Sequence, residues 1–516
     1  MSKFLKGTII LLIAGFITRI LGFINRIVIA RFIGEDGVGL YMMVYPTLIL
    51  IVTITQLGLP IAISKNVAEA EAEGNHKKIK SILVVSLTTT LALTVLFTPA
   101  LFLLAPYLSQ TLFTDPRTLT PLLAITPIIP IIAVSSVLRG YFQGRQNMKP
   151  AATSQVIEQI VRITLIAALT KAFLPLGIEY AAAGAMLASV LGELASLLFL
   201  LASFKWKKPF PLRKKFFQYV TNGKQTFKEL MQVALPTTGG RMIGSIAWFI
   251  EPIVVAHSLA LAGLTAINAT KQYGVLTGFA LPLLMLPSFF TQSLSTSLVP
   301  AISEANANHE YKKIDHLLQQ ALRFTFMTGG LAVIVLFVLA EPLMSVMYNS
   351  TRGASFIQLM APFFLLNYYQ GPLQATLQAL NLARAAMINS FIGAFVKTII
   401  ILCLASRPEF GIYGVAIALI VGFVLVTMLH FATIIKTINF SIYIKDYIKM
   451  LVVIFMSGYL GTICTKWLIL PSLSLKVIIV TCFITLFYII LLLLLKLLKK
   501  DDLQKIPWIG SLLHKK

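Results

Sequence analysis

Runs of about 20 or more mostly apolar residues follow one another along almost the whole chain, with short polar connections between them. A helix that crosses a bilayer needs about 20 such residues. Within each run the apolar positions are continuous and do not alternate with polar ones, which selects helices over the strands of a membrane barrel. The pattern predicts spans at 8–33, 38–63, 81–105, 118–142, 150–173, 180–203, 229–256, 270–298, 316–340, 355–380, 385–405, 411–435, 446–466 and 473–496. The expected fold is an all-α polytopic membrane protein of about 14 transmembrane helices.

The connections differ in charge, and that orients the spans. Lys3 and Lys6, then Lys65 with Lys77, Lys78 and Lys80, then Arg145 with Lys149 fall in alternate connections. The series continues through KWKK and RKK between Phe204 and Lys228, then Lys312, Lys313, Arg384, Lys436 and Lys445, to the tail from Lys496. The connections between them, such as 106–117, 174–179, 341–354 and 406–410, carry few basic residues. Cytoplasmic loops are enriched in Lys and Arg, so both termini are expected in the cytoplasm. The start, MSKFLKGTIILLIAGF, has the charged and apolar parts of a signal peptide, but no small-residue cleavage site follows and Arg19 interrupts the run. It is expected to stay as the first span.

The chain also repeats itself. PIAIS from Pro60 and KKI from Lys77 return as PAIS from Pro300 and KKI from Lys312. QGRQNMKPAATSQVIEQIVR from Gln143 aligns with QALNLARAAMINSFIGAFVK from Gln378, which sets Arg162 opposite Lys397; RILG at Arg19 aligns with RMIG at Arg241, and GAMLASVLG from Gly184 with GVAIALIVG from Gly414. The expected domains are a six-helix lobe at 1–203, a basic cytoplasmic connector at 204–228, a second six-helix lobe at 229–435, and two extra helices with a basic interfacial tail at 436–516. Each lobe crosses an even number of times, so the copies are parallel repeats related by an axis along the membrane normal. Aromatics alternate with cations in the connector and tail, a pattern that suits an anionic membrane surface and equally ordinary cytoplasmic loop composition.

Composition agrees with a membrane class: 57% of residues are hydrophobic and 12% charged. The net charge of +24 follows from the basic loops and does not call for nucleic acid. Cys403, Cys464 and Cys482 all lie in apolar runs and form no disulfide or metal framework.

Charge inside the spans is the informative exception. The stretch Gly15–Gly34 is apolar enough to enter a membrane yet carries three arginines. Each costs about 2.5–3.5 kcal/mol near a helix centre. Gly15, Arg19, Gly22, Arg26 and Ala30 share one helical face, which must point at a cavity or at other helices. Such a face either is satisfied by carboxylates and carbonyls or binds an anion. Arg241, Lys271 at the start of the eighth span, and Lys397 are the other candidate anion ligands. Glu158 and Arg162 stand at i, i+4 and can pair with each other. Glu251, next to Pro252 on the helix carrying Arg241, is a candidate ion or proton site or a partner for a neighbouring cation.

The second and eighth spans, which correspond in the repeat, are interrupted by Pro46, Gly58 and Pro60 in one and by Gly278, Pro282 and Pro287 in the other. Bendable helices beside a cavity are candidate gates; small-residue packing is the plainer account. No phosphate-binding G-x-x-x-x-G-K-[ST] loop occurs, the histidines have no metal-ligand spacing, and the non-cytoplasmic loops are too short for a catalytic acidic pair. The expectation is a transporter with no cofactor, not an enzyme.

TRILGFINRIVIARFIGEDGVGLYMM from Thr18, LRGYFQGRQNM from Leu138, ATKQYG from Ala269 and PLQATLQALNLA from Pro372 closely resemble the sporulation branch of the multidrug, oligosaccharidyl-lipid and polysaccharide exporter superfamily, over essentially the whole chain. The resemblance implies two six-helix lobes around a central cavity that opens alternately to each side. It also implies a role in spore-cortex peptidoglycan synthesis, in a membrane surrounding the forespore, by flipping the lipid-linked precursor lipid II. Partners would then be lipid II, anionic membrane lipids, and cortex-synthesis glycosyltransferase or transpeptidase proteins. In related lipid II flippases, arginines of an R-x-L-G-F-x-R element face the cavity. Arg19 matches the first; Asn25 stands at the second, with Arg26 one place later, about 100° around the helix. Arginine binds phosphate oxygens bidentately, so Arg19, Arg241 and Lys271 are expected to hold the pyrophosphate, with Arg26 and Lys397 as further candidates. The rivals are a cation-coupled drug exporter, which calls for cavity carboxylates and aromatics, and a non-transporting scaffold for cortex enzymes.

Overall fold

The structure, a computed structural model, describes residues 3–207, 216–438, 444–468 and 470–497, with side chains from residue 13 onward. The core of the basic connector at 208–215, the tail from 498 and the side chains of Lys3 and Lys6 lie outside the described residues. The helices in chain order are α1 (Lys3–Gln56), α2 (Leu59–Ala72), α3 (His76–Tyr107), α4 (Leu119–Ile125), α5 (Ile128–Gly144), α6 (Met148–Phe173), α7 (Ile178–Lys207), α8 (Phe216–Thr221), α9 (Lys224–Leu261) and α10 (Ala266–Gly274). There follow α11 (Leu281–Met285), α12 (Ser288–Ala307), α13 (Tyr311–Val338), α14 (Ala340–Tyr348), α15 (Ala354–Ala379), α16 (Ala383–Ile400), α17 (Gly411–Thr437), α18 (Ile444–Trp467) and α19 (Leu473–Leu494). No strand occurs among the described residues.

Among those residues 11 segments are long and apolar enough to cross a membrane, or 12 if the interrupted pair Ala266–Met285 and Ser288–Ala307 is one span. The segment Ile13–Ala72 is 60 residues long and runs over the first two expected spans. The more polar α15 runs over the tenth. The protein is thus a multi-pass helical membrane protein. Outward-pointing apolar side chains such as Val95, Leu103, Leu198 and Leu494 are more than half exposed, which suits lipid.

The breaks fall where the backbone demands them. Gly34 takes φ 63°, a left-handed conformation that L side chains resist, and divides α1 between its two spans. Leu57 and Gly58 also have positive φ, at 46° and 63°, and end α1. Pro60 then sits in the first turn of α2, where its missing N–H leaves no helical bond unmade. The eighth span is a composite: α10, a wider turn over Val275–Ala280, α11, and Pro287 capping α12. Pro46, by contrast, is buried inside a helical stretch that continues through it.

The helices cluster into two compact units, Met1–Pro282 with Ala394–Ala418, and Leu283–Gly393 with Leu419–Lys516. The first boundary falls in the eighth span, at Pro282. In the first unit α2, α3 and α5 pack around Leu59, Ile63, Ile82, Val137 and Tyr141, and α9 joins them through Leu230 and Ala234. In the second unit the Tyr488 hydroxyl donates to the Met327 carbonyl at 2.9 Å, fixing α19 on α13. Asn389 of α16 donates to His430 at 3.2 Å and Thr433 at 3.0 Å of α17. These are polar ties between helices that lipid could not satisfy.

Candidate functional site

The charged stripe of α1 borders a cavity of about 320 Å³ in the first unit, lined by Thr18, Arg19, Arg139, Gln155, Glu158 and Gln159. α1 lies along α6, which carries Gln155, Glu158 and Gln159 on two successive turns. Beneath the cavity one guanidinium collects two carboxylates. Arg139 Nη2 lies 3.3 Å from Glu158 Oε2, 3.0 Å from Glu193 Oε1 and 2.9 Å from Ser196 Oγ. Arg162 Nη2 donates to the other Glu158 oxygen at 2.5 Å. Both glutamates are buried, so the two cations and two anions compensate one another in a medium where an isolated charge would be very costly.

Arg139 was not among the residues the sequence singled out. Its signal was the count of buried carboxylates: Glu193 inside a span requires a cation, and Arg139, in the last turns of α5, is the one that reaches it.

The second-half candidates divide. The Lys397 ammonium lies 2.5 Å from Glu251 Oε2, and the Tyr273 hydroxyl reaches the other oxygen at 3.4 Å. Lys397, expected among the anion ligands, is therefore neutralised by Glu251, which is 6% exposed. Arg241 is exposed on α9, one turn before Ser245, whose hydroxyl meets that of Thr53 at 2.9 Å. Arg26 is half-buried within electrostatic reach of Tyr41, beside a buried Asn25. Neither Arg26 nor Arg241 has a carboxylate at ion-pairing distance among the described residues.

Lys271 is not brought to Arg19. Its ammonium lies 3.7 Å from Glu35, just past the Gly34 bend. At 1.5 Å per residue Glu35 is about 24 Å along α1 from Arg19, too far for both cations to grip one pyrophosphate. Arg241 fits better. Its helix meets α1 at Thr53, through the Ser245 hydroxyl one turn after Arg241.

At the Gly34 end a second polar knot joins three separate stretches. Asp115, 1% exposed, accepts from the Arg117 backbone N–H at 3.1 Å, from Arg117 Nε at 3.0 Å and Nη2 at 2.8 Å, and from the Thr270 hydroxyl at 2.8 Å. Arg117 Nη1 reaches on to Asp36 at 3.4 Å. Burial pushes the Asp115 carboxyl up, but the hydrogen bonds from Arg117 and Thr270 and the Arg117 charge outweigh it and hold the group below the ordinary carboxylate value. A Cβ on Gly39 would sit 2.2 Å from the Thr270 carbonyl oxygen, so α1 and α10 meet backbone to backbone there. Gly278 lies against Val38 on the same face.

A family model described as polysaccharide biosynthesis protein matches residues 4–306, and one described as MatE matches residues 276–403. The chain is 58% identical over 513 residues to stage V sporulation protein B of Bacillus subtilis (strain 168), covering 99% of each chain. It is 25% identical over 472 residues to the lipid II flippase MurJ of the same organism, covering 87% of this chain and 86% of that one. Among solved structures, lipid II flippase MurJ in an inward closed conformation superposes with a TM-score of 0.70 at 16% identity, covering 93% of this chain and 97% of that one. At that identity the likeness speaks for the fold.

Proposed function

From the premise that the chain belongs to the polysaccharide biosynthesis protein family, in the branch of stage V sporulation protein B, we propose that it flips a lipid-linked cell-wall precursor, lipid II, during spore-cortex peptidoglycan synthesis. The observation that carries the reading is the balance of charge within the spans. Glu158, Glu193 and Glu251 are taken by Arg139, Arg162 and Lys397, and Arg26 and Arg241 add positive charge that no span carboxylate offsets. A positive surface in a low-dielectric setting attracts an anion. Engaged carboxylates are correspondingly poor receptors for an organic cation, which disfavours drug export.

Arg19 of the first repeat and Arg241 of the second hold the pyrophosphate, with Arg26 close by, while the polyprenyl tail stays in lipid. The two six-helix repeats rock around this grip, and the interrupted second and eighth spans bend at Pro60, Gly278, Pro282 and Pro287 to let the head group pass. Lys271, held by Glu35, belongs to the knot at the Gly34 bend and not to the grip in this state. Both termini lie in the cytoplasm, and the protein works in a membrane around the forespore beside the enzymes that polymerise the product. The charge balance also suits a transporter better than a scaffold, which gains nothing from buried cations.

Translocation of labelled lipid II into proteoliposomes tests the reading, with wild type, Arg19→Ala and Arg241→Ala reconstituted in equal amounts. Loss of at least about tenfold in both variants is expected, since each removes a charge-assisted bond. Wild-type rates in either variant would overturn the pyrophosphate grip, and no flipping by well-folded wild type would overturn lipid II as the substrate.

A further inference from the structure

We propose that the cavity between α1, α5 and α6 is a separate subsite for the neutral, hydroxyl- and carboxamide-bearing part of the substrate's head group, and that Gln155 and Gln159 select for it. This rests on the flippase reading above and adds to it a site of discrimination distinct from the pyrophosphate grip.

The chemistry of the lining carries the argument. Of its six residues, Arg139 and Glu158 are already committed to each other and to Glu193 and Arg162, so their charges are largely cancelled. The rest of the wall is the Thr18 hydroxyl, the Arg19 guanidinium and two carboxamides one helical turn apart. Carboxamides both donate and accept, which matches sugar hydroxyls and N-acetyl or peptide amides, whereas a phosphate needs donors only. Among the described residues every side chain that lines the cavity carries a polar group, which suits a hydroxyl- or amide-bearing ligand better than the polyprenyl tail.

The hydrogen-bond ledger of the wall is also incomplete. Gln159 Oε1 is buried with no partner among the described residues, and so is Arg139 Nε beneath it. A buried carboxamide oxygen left unmatched is costly, and Gln159 lines the cavity, where a hydroxyl or amide of a ligand can supply the missing donor. At about 320 Å³ the space lies at the small end of ligand pockets, enough for a sugar ring or a short peptide stretch but not a whole disaccharide-peptide. Arg19 stands on the cavity wall and on the anion-binding stripe at once. A head group docked here would therefore leave its pyrophosphate next to the cation proposed to hold it.

The experiment measures binding of two lipids to the full-length protein in nanodiscs: lipid II, and undecaprenyl pyrophosphate without a head group. The readout is the ratio of their affinities. Wild type is expected to prefer lipid II by about tenfold, the weight of one or two hydrogen bonds, and Gln155→Leu/Gln159→Leu to bring the ratio close to one. An unchanged ratio in the double variant overturns the subsite. If the double variant does not fold, competition on wild type decides. Soluble disaccharide or soluble pentapeptide should displace lipid II, the one that does so naming the part bound, and competition by neither overturns the proposal. Arg19→Ala separates the two readings: it should weaken both lipids, and if it leaves bare undecaprenyl pyrophosphate binding intact, the pyrophosphate grip fails while the ratio still reports on the subsite.

Discussion

Asp115→Asn should loosen the knot at the Gly34 bend. The carboxylate accepts four hydrogen bonds, two on each oxygen, and is almost fully buried. Asparagine keeps the Oδ1 bonds from the Arg117 N–H and Nε but puts an amide nitrogen where Arg117 Nη2 now donates, and it removes the charge facing the guanidinium. The Thr270 hydroxyl can turn to accept instead. The net loss is one charge-assisted bond and most of an ion pair, discounted because Arg117 is 21% exposed. That is about 2–3 kcal/mol, or roughly 30- to 150-fold in the equilibrium between tied and untied states. A cysteine at Met43 reports it, because the Met43 sulfur is buried 3.6 Å from the Thr270 hydroxyl. In a background with Cys403, Cys464 and Cys482 replaced, maleimide labelling of Met43→Cys tracks the open population when opening is fast. Asp115→Asn should raise the labelling rate by the factor above. The pH dependence has a definite sign: the carboxyl is depressed in the folded state, so its contribution is complete above the ordinary aspartate value and fades only as pH falls through the lower folded-state value. The ratio of the Asp115→Asn rate to the wild-type rate, in which the thiolate fraction cancels, should stay flat from about pH 5 to 8 and fall toward one only in stronger acid. An unchanged rate in a folded Asp115→Asn protein would refute the reasoning.

Lys397→Met strands the Glu251 carboxylate in a buried site and should cost about 3–5 kcal/mol, read as a lower thermal midpoint in detergent; Glu251→Gln combined with it should recover much of the loss, and additive losses would sink the pairing. Gly39→Ala places a methyl 2.2 Å from the Thr270 carbonyl oxygen, so α1 and α10 must separate. It should raise Met43→Cys labelling as Asp115→Asn does, and no rise would mean the two backbones are not held as close as described.

What the chain discloses before folding depends on the range of the interaction. The spans are legible because each is a local run, and the breaks at Gly34 and Gly58 because glycine and proline punctuate backbone over a few residues. The Glu158–Arg162 pair is legible at four residues' spacing on one helix. Lys397 and Glu251 each stand out as charges in apolar surroundings, but 146 residues separate them, and nothing periodic says that one cancels the other. Asp115 is harder still: a single aspartate in a loop carries no period, and its importance comes from burial against Thr270, 155 residues away. Arg139 lies between these cases, since every buried carboxylate must find a cation and the inventory of both is written in the sequence. Matching that inventory changes the functional reading. From the sequence only Arg162 has an evident carboxylate partner; in the structure Lys397 is also spent on one, and Lys271 is tied to Glu35, about 24 Å from Arg19 along α1. Arg26 and Arg241 are left with no span carboxylate at ion-pairing distance among the described residues, and Arg19 stands on the wall of a cavity whose other charged groups, Arg139 and Glu158, are paired. Phosphate and head group would then be recognised by different chemistry on neighbouring surfaces, which is what lets a flippase grip every polyprenyl pyrophosphate yet favour one.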